Sequence, residues 1–157
     1  MVTNQQKWTV EKIPDQSGKT VIVTGANSGI GYEASAALVR KGARVIMACR
    51  SLEKGQVAAA KIQDQGLKEE LIIKQLDLAD LSSVARFADE ILAENERLDI
   101  LINNAGVMAI PFQQTADGFE MQFGTNHLGH FALTGRLMPI LQKTPGSRVV
   151  TVSSNLH

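Results

Sequence analysis

Two textures alternate along the chain. Short β-branched runs occupy residues 20–24, 44–48, 71–76, 99–102 and 148–152, and longer stretches of helical period separate them. Within residues 80–94, Leu81, Val84, Phe87, Ala88, Ile91 and Leu92 fall on one helical face behind Asp80, which reads as an N-cap. A second helix is predicted over about residues 117–141, where Phe119, Phe123, His127, Phe131 and Thr134 recur at helical spacing and Pro139 perturbs the end. Its Phe123 and Leu128 predict that this helix is substantially buried. Strands that are apolar throughout are covered on both faces, which calls for a parallel sheet between helix layers. Five strands with four intervening helices then make an α/β, doubly wound parallel sheet through right-handed crossovers. The expected strand order is 3-2-1-4-5, with a crevice between strands 1 and 4 where the order reverses. Ligands of such sheets sit at the carboxyl ends of the strands, so the residues just after each strand are the ones to inspect.

The 157 residues suit one domain: residues 1–18 read as a polar N-terminal arm ending in a turn, and residues 19–157 as the dinucleotide-binding sheet domain. Its 16 basic and 16 acidic side chains cancel, so no charge excess points to nucleic acid or an anionic membrane as partner. The single cysteine, Cys49, has no internal partner for a disulfide, which fits a reducing, cytoplasmic location. The N-terminus lacks the apolar core of a signal peptide, and no apolar run reaches the length of a transmembrane helix.

The segment T-G-A-N-S-G-I-G at residues 24–31 follows the first strand and opens a helix. Gly25 permits a sharp turn, Gly29 lets backbone approach a pyrophosphate, and Gly31 lets helix and strand pack closely. Asn27, Ser28 and Ile30 complete the loop, and the helix N-terminus behind it offers N–H groups and a positive dipole end to phosphates. A glycine triplet alone is also compatible with a turn that binds nothing. Its place between first strand and first helix favours the binding loop.

With these residues the chain resembles the short-chain dehydrogenase/reductase family, and so a Rossmann-like fold. The resemblance runs from about residue 18 to the end of the chain. T-G-x-x-x-G-I-G matches the family's cofactor loop, and N-N-A-G at 103–106 matches its second signature after strand 4. Asp77 follows strand 3, Asn126 lies in G-T-N-H-L-G-H-F, and V-S-S at 152–154 ends strand 5. The resemblance implies that Asp77, beside Leu78, contacts the adenine amino group, and that Asn104, Ala105 and Gly106 leave room for the adenosine ribose. It implies that Asn126 and Ser154 are catalytic: Asn126 bends its helix and exposes a backbone carbonyl to a water of the proton relay, and Ser154 bonds the substrate oxygen. Ser153 is implied near the nicotinamide. His127 and His130, three residues apart, have metal-ligand spacing but no third ligand in the pattern, so no metal is expected.

Cofactor choice is read after strand 2, where an NAD enzyme carries an acid for the ribose hydroxyls. Here Cys49 stands in that place and Arg50 follows, which points to the 2′-phosphate of NADP. The family's general acid/base tyrosine, and the lysine four residues after it, are expected beyond Ser154, and the chain ends at His157. Tyr32, the single tyrosine, directly follows the glycine loop, and Lys143 precedes strand 5. The chain is therefore expected to be truncated before the last strands, with strand 5 a bare apolar edge, and inactive by itself. The run V-I-M-A-C-R, with D-G-F-E and the Asn126 motif, looks like the retinol-dehydrogenase-like branch. Protochlorophyllide reductases are similar in the same stretches but usually carry N-A-A where this chain has N-A-G. The expected function is hydride transfer between NADP(H) and a small-molecule carbonyl or alcohol, lipophilic by resemblance, in a protein that is a homo-oligomer when intact. The alternatives are a non-catalytic NADPH-binding module and an inactive truncation product.

Overall fold

The computed structural model of the chain describes residues 8–64 and 71–154, so residues 1–7 of the predicted arm lie outside the described residues. Its strands are β1 (Thr20–Thr24), β2 (Arg44–Cys49), β3 (Leu71–Gln75), β4 (Ile100–Asn103) and β5 (Arg148–Thr151). They form one parallel sheet in the order β3-β2-β1-β4-β5, as the sequence predicts. Each strand lies where a β-branched run predicts it, with ends displaced by one residue at most. The helices are α1 (Gly29–Arg40), α2 (Leu52–Gln63), α3 (Leu81–Glu94), the single turn α4 (Met121–Phe123) and α5 (His130–Lys143). A wider π turn over Gly124–Gly129 joins α4 to α5. No described helix is long and apolar enough to cross a membrane.

The sheet is apolar on both faces because both are covered. Val21 pairs with Val45 on one side and with Ile100 on the other. Ile22 and Ile46 turn toward α3 and α5, where they meet Phe87, Ile91, Leu133 and Leu137. Val21, Val23 and Met47 turn to the opposite side and meet Ala36 and Val39 of α1 and Ala58 and Ile62 of α2. Small residues on α1 and α2 let these helices lie close on the strands. Full burial of each Val or Ile side chain contributes roughly 1.5–3 kcal/mol. In α3, Asp80 accepts the Ser82 N–H as its N-cap at 2.8 Å. Val84, Phe87, Ala88 and Ile91 form the buried face as predicted, and Leu92 lies at its exposed margin.

The second predicted helix differs in start and in facing. It begins at residue 121, because Glu120 caps it by accepting the N–H groups of Gln122 and Phe123, both at 2.8 Å. Asp117 instead accepts the N–H of Leu81 at 2.9 Å and so serves α3. Phe119, Phe123 and Phe131 are exposed, with Phe131 at 74%. The core face is Thr125, His130, Leu133, Leu137, Ile140 and Leu141. Phe123 and Phe131 lie on either side of the π turn and both stack on the exposed His127, so the aromatic stripe stays on the solvent face throughout, and helical spacing alone does not say which face packs on the sheet. Pro139 is tolerated inside α5 and lies on its exposed side.

Candidate functional site

At the carboxyl ends of the strands a groove of ≈ 440 Å³ opens between the loops after β1, β2, β3 and β4. Gly25, Asn27, Ser28 and Ile30 line it from the glycine loop, Arg50 from the end of β2, Asp77 and Leu78 from the end of β3, and Asn104, Ala105 and Gly106 from the end of β4. The structure thus brings together ten residues that the sequence singles out, drawn from four separate strand ends.

Two glycines of the loop are required by geometry. Gly25 has φ +65° and donates its N–H to Ala48 O at 2.9 Å; a Cβ there would stand 2.9 Å from Ala105 Cα. Gly31 has ordinary helical backbone, but a Cβ would lie 2.5 Å from Gly25 O and 2.6 Å from Asn104 Nδ2. Gly31 therefore lets α1 close onto its own loop and onto the N-N-A-G segment. Gly29 has φ +54° and faces open space. Ser28 sits at the N-cap of α1 without a side-chain capping bond, which leaves the first-turn N–H groups without that partner. An uncapped helix N-terminus bordering an open groove is suited to an anionic group.

Thr24, the last residue of β1, organises the wall opposite. Its hydroxyl accepts the N–H groups of Asn104 and Ala105, both at 2.9 Å, and its carbonyl accepts Asn104 Nδ2 at 2.9 Å. Asp77 is half-buried. Its Oδ1 accepts the Ala79 N–H at 2.9 Å and its own N–H donates to Ser83 Oγ at 3.0 Å, which fixes the carboxylate at the groove. At the end of β2 the Cys49 thiol is buried. Burial pushes its pKa up, against hydrogen bonds from the backbone of Ala26 and Asn27 that pull it down. The thiol is uncharged near neutral pH, so β2 ends without the negative charge an acid would place there. Beyond it stand Arg50 and Lys54. Ser51 caps α2 by accepting the Lys54 N–H at 3.3 Å. Lys54 was not among the residues singled out in the sequence; its signal is the spacing of four after Arg50, one helical turn past a serine cap.

The two implied catalytic residues are placed differently. The Asn126 side chain makes a reciprocal pair with the backbone of Val107: Oδ1 accepts its N–H and Nδ2 donates to its carbonyl, both at 2.8 Å. Val107 lines the groove, so Asn126 borders it through this loop. The Asn126 carbonyl accepts His130 Nδ1 at 2.9 Å, so the carbonyl implied to face a relay water has a protein donor. Ser153 and Ser154 are exposed beyond β5 and do not line the groove. His127 and His130 serve different faces: His127 is exposed and stacks on Phe123 with ring centroids 5.2 Å apart, whereas His130 is buried.

Residues 19–157 match the profile of the family described as short chain dehydrogenase. The chain belongs to the short-chain dehydrogenase family. It is 50% identical over 150 residues to retinol dehydrogenase 14 of Mus musculus, a match covering 89% of this chain and 45% of that protein. It is 52% identical over 140 residues to retinol dehydrogenase 13 of Homo sapiens, covering 89% of this chain and 42% of that protein. The chain spans less than half the length of these relatives. Among solved structures, a metagenomic short-chain oxidoreductase in complex with NADP superposes with a TM-score of 0.77 at 28% identity, over 88% of this chain and 63% of that one.

Proposed function

We propose that this chain is the NADP(H)-binding part of an oxidoreductase that transfers hydride between NADP(H) and a lipophilic carbonyl or alcohol. The observation that carries the reading is the groove itself. The uncapped α1 N-terminus borders one part of it through Ser28 and Ile30, Asp77 stands on the β3 side, and the cations Arg50 and Lys54 stand where β2 ends in a neutral thiol. These residues fit a dinucleotide bearing an extra phosphate, and the solved relative in complex with NADP supports that choice. When bound, the nicotinamide supplies or accepts the hydride. The chain's own residues hold the phosphates, fix the adenosine end and exclude a competing acid from the 2′-phosphate. Asn126 borders the site as a positioning group, and Ser154 is assigned to the substrate oxygen. The lipophilic substrate class and a homo-oligomeric whole protein belong to this same reading.

A non-catalytic NADPH-binding module is the second reading, favoured by one observation: the dinucleotide groove is lined without Ser153 and Ser154. A serine hydroxyl and an asparagine amide are too weak as acids to replace a general acid, whose contribution is typically ~10²–10⁴-fold. Tyr32 lies on α1 and does not line this groove; it lines a second pocket together with Asn27 and Lys61. The 157-residue chain should therefore bind NADPH without oxidising it. The assay follows NADPH absorbance with a panel of lipophilic aldehydes and ketones. Oxidation that scales with protein concentration would refute this account of the proton source, and failure to bind either NADPH or NADH would refute the groove assignment.

A further inference from the structure

His130 is buried at 5% exposure, and nothing in the cofactor chemistry above uses it. An imidazole withdrawn from water is costly unless both ring nitrogens are satisfied. Here each has one partner at bonding distance. Nδ1 lies 2.9 Å from the Asn126 carbonyl oxygen, and Nε2 lies 2.9 Å from Thr24 Oγ1.

Donor and acceptor rules then assign every proton. A carbonyl oxygen only accepts, so Nδ1 carries the hydrogen and donates it to Asn126. Nε2 is left as a bare acceptor. The Thr24 hydroxyl already accepts two N–H groups, from Asn104 and Ala105, which occupy both of its lone pairs. Its own proton is free to donate, and Nε2 at 2.9 Å is a nearer acceptor than Ile102 O at 3.4 Å. No other tautomer satisfies all five groups. A protonated ring would turn an Nε2–H against an oxygen with no lone pair to offer.

We propose that His130 is a positioning residue: a neutral, Nδ1-protonated clamp that holds the Asn104–Ala105 loop and the Asn126 carbonyl in one fixed relation. On the cofactor side, it orients the Thr24 hydroxyl so that both lone pairs face the N-N-A-G backbone. On the other side, it holds the carbonyl of the π turn while the Asn126 amide is tied to Val107. The clamp therefore joins three segments, the end of β1, the loop after β4 and the π turn. Burial pushes the His130 pKa below its ordinary value, in keeping with a ring held neutral. The functional consequence rests on the groove being the dinucleotide site, while the clamp itself can be tested without cofactor.

The test uses four variants of the full chain. His130→Gln places an amide oxygen near the Nε2 position and keeps the acceptor for Thr24. His130→Asn keeps only a donor near Nδ1. Thr24→Ser keeps the hydroxyl and Thr24→Val removes it. Imidazole ¹⁵N spectra of the parent should show a neutral ring with Nδ1 protonated. Amide hydrogen exchange at Asn104 and Ala105 should quicken in His130→Asn and Thr24→Val and stay near the parent in His130→Gln and Thr24→Ser. NADPH Kd should rise roughly 3- to 10-fold in His130→Asn, about what one neutral hydrogen bond is worth, and further in Thr24→Val, which also removes the acceptor of two N–H groups. The double variant His130→Asn/Thr24→Val should lose no more than Thr24→Val alone. An Nε2-protonated ring, or unchanged exchange in folded His130→Asn, overturns the clamp. If His130→Asn does not fold, the tautomer and the contrast between Thr24→Val and Thr24→Ser decide it. Altered exchange in a chain that binds no dinucleotide upholds the clamp and refutes the groove reading instead.

Discussion

Removing Arg50 and Lys54, singly and together, should lower the affinity for NADPH and leave that for NADH nearly unchanged. Both side chains border the groove beyond β2, and both are exposed. A phosphate monoester carries about −1.5 to −2 charges near pH 7. A unit pair at ~4 Å is worth ~1 kcal/mol in bulk water and ~4 kcal/mol at an effective dielectric of about 20. Exposure places these cations near the lower end, so each is assigned ~1–2 kcal/mol, a roughly 5- to 30-fold rise in NADPH Kd at low salt. Arg50→Ala should be the costlier, because guanidinium can donate two parallel bonds to one phosphate. Arg50→Lys should recover part of the loss. Isothermal titration with each dinucleotide gives the selectivity directly. Since the screening length shrinks from ~10 Å at 0.1 M salt to ~3 Å at 1 M, the parent's preference should narrow as salt is raised. Equal affinity of the parent for both cofactors would sink the reasoning. So would parallel losses for NADPH and NADH in Arg50→Ala, which would mean that the residue acts on the fold.

Other perturbations test the parts around that site. Gly29→Val should abolish dinucleotide binding with the circular dichroism spectrum retained, since φ there is +54° and a side chain would fill the open space at the uncapped α1 N-terminus, which the proposed function assigns to the phosphates; retained binding would make the loop purely structural. Phe87→Ala should destabilise the chain by ~3–5 kcal/mol in urea titration, because the ring is 1% exposed in the core between sheet, α3 and α5; a loss below about 1 kcal/mol would show that the core collapses around the gap. Burial lowers the His130 pKa, with the Asn126 carbonyl opposing it. The unfolded chain therefore binds that proton more readily, and stability that is complete above the ordinary histidine value of about 6.5 is lost as pH falls through the lower folded value. The urea midpoint should fall from about pH 7.5 to about pH 5.5, and less so in His130→Gln; an identical fall in that variant would exclude the histidine as the cause.

Some of this protein was legible in one dimension because the causes are local or periodic. A strand buried on both faces must be apolar at consecutive positions, and that alone marks five runs and predicts a parallel sheet. The glycine loop is legible for a similar reason: Gly25 needs a positive φ, which is a property of a single residue. Right-handed crossovers restrict the strand order to a few doubly wound arrangements, and 3-2-1-4-5, the natural expectation among them, is the order the structure has. From there the strand ends name Asp77, Arg50 and Asn104 as groove residues.

Tertiary structure decided what depends on exact phase or on distant chain ends. The aromatic stripe of Phe123, His127 and Phe131 has helical spacing whichever way it faces, and only the packing of α5 through Leu133, Leu137 and Ile140 left it on the solvent side. Lys54 joined the groove because a serine cap started α2 at a particular residue and set which side its first turn presents. Thr24 meets Asn104 across 80 residues of chain and His130 across 106, and nothing near Thr24 in the sequence announces either partner. Periodicity reports which residues share a side of an element. Which polar atoms then meet is fixed by where separate elements end, and only the packed sheet brings those ends together.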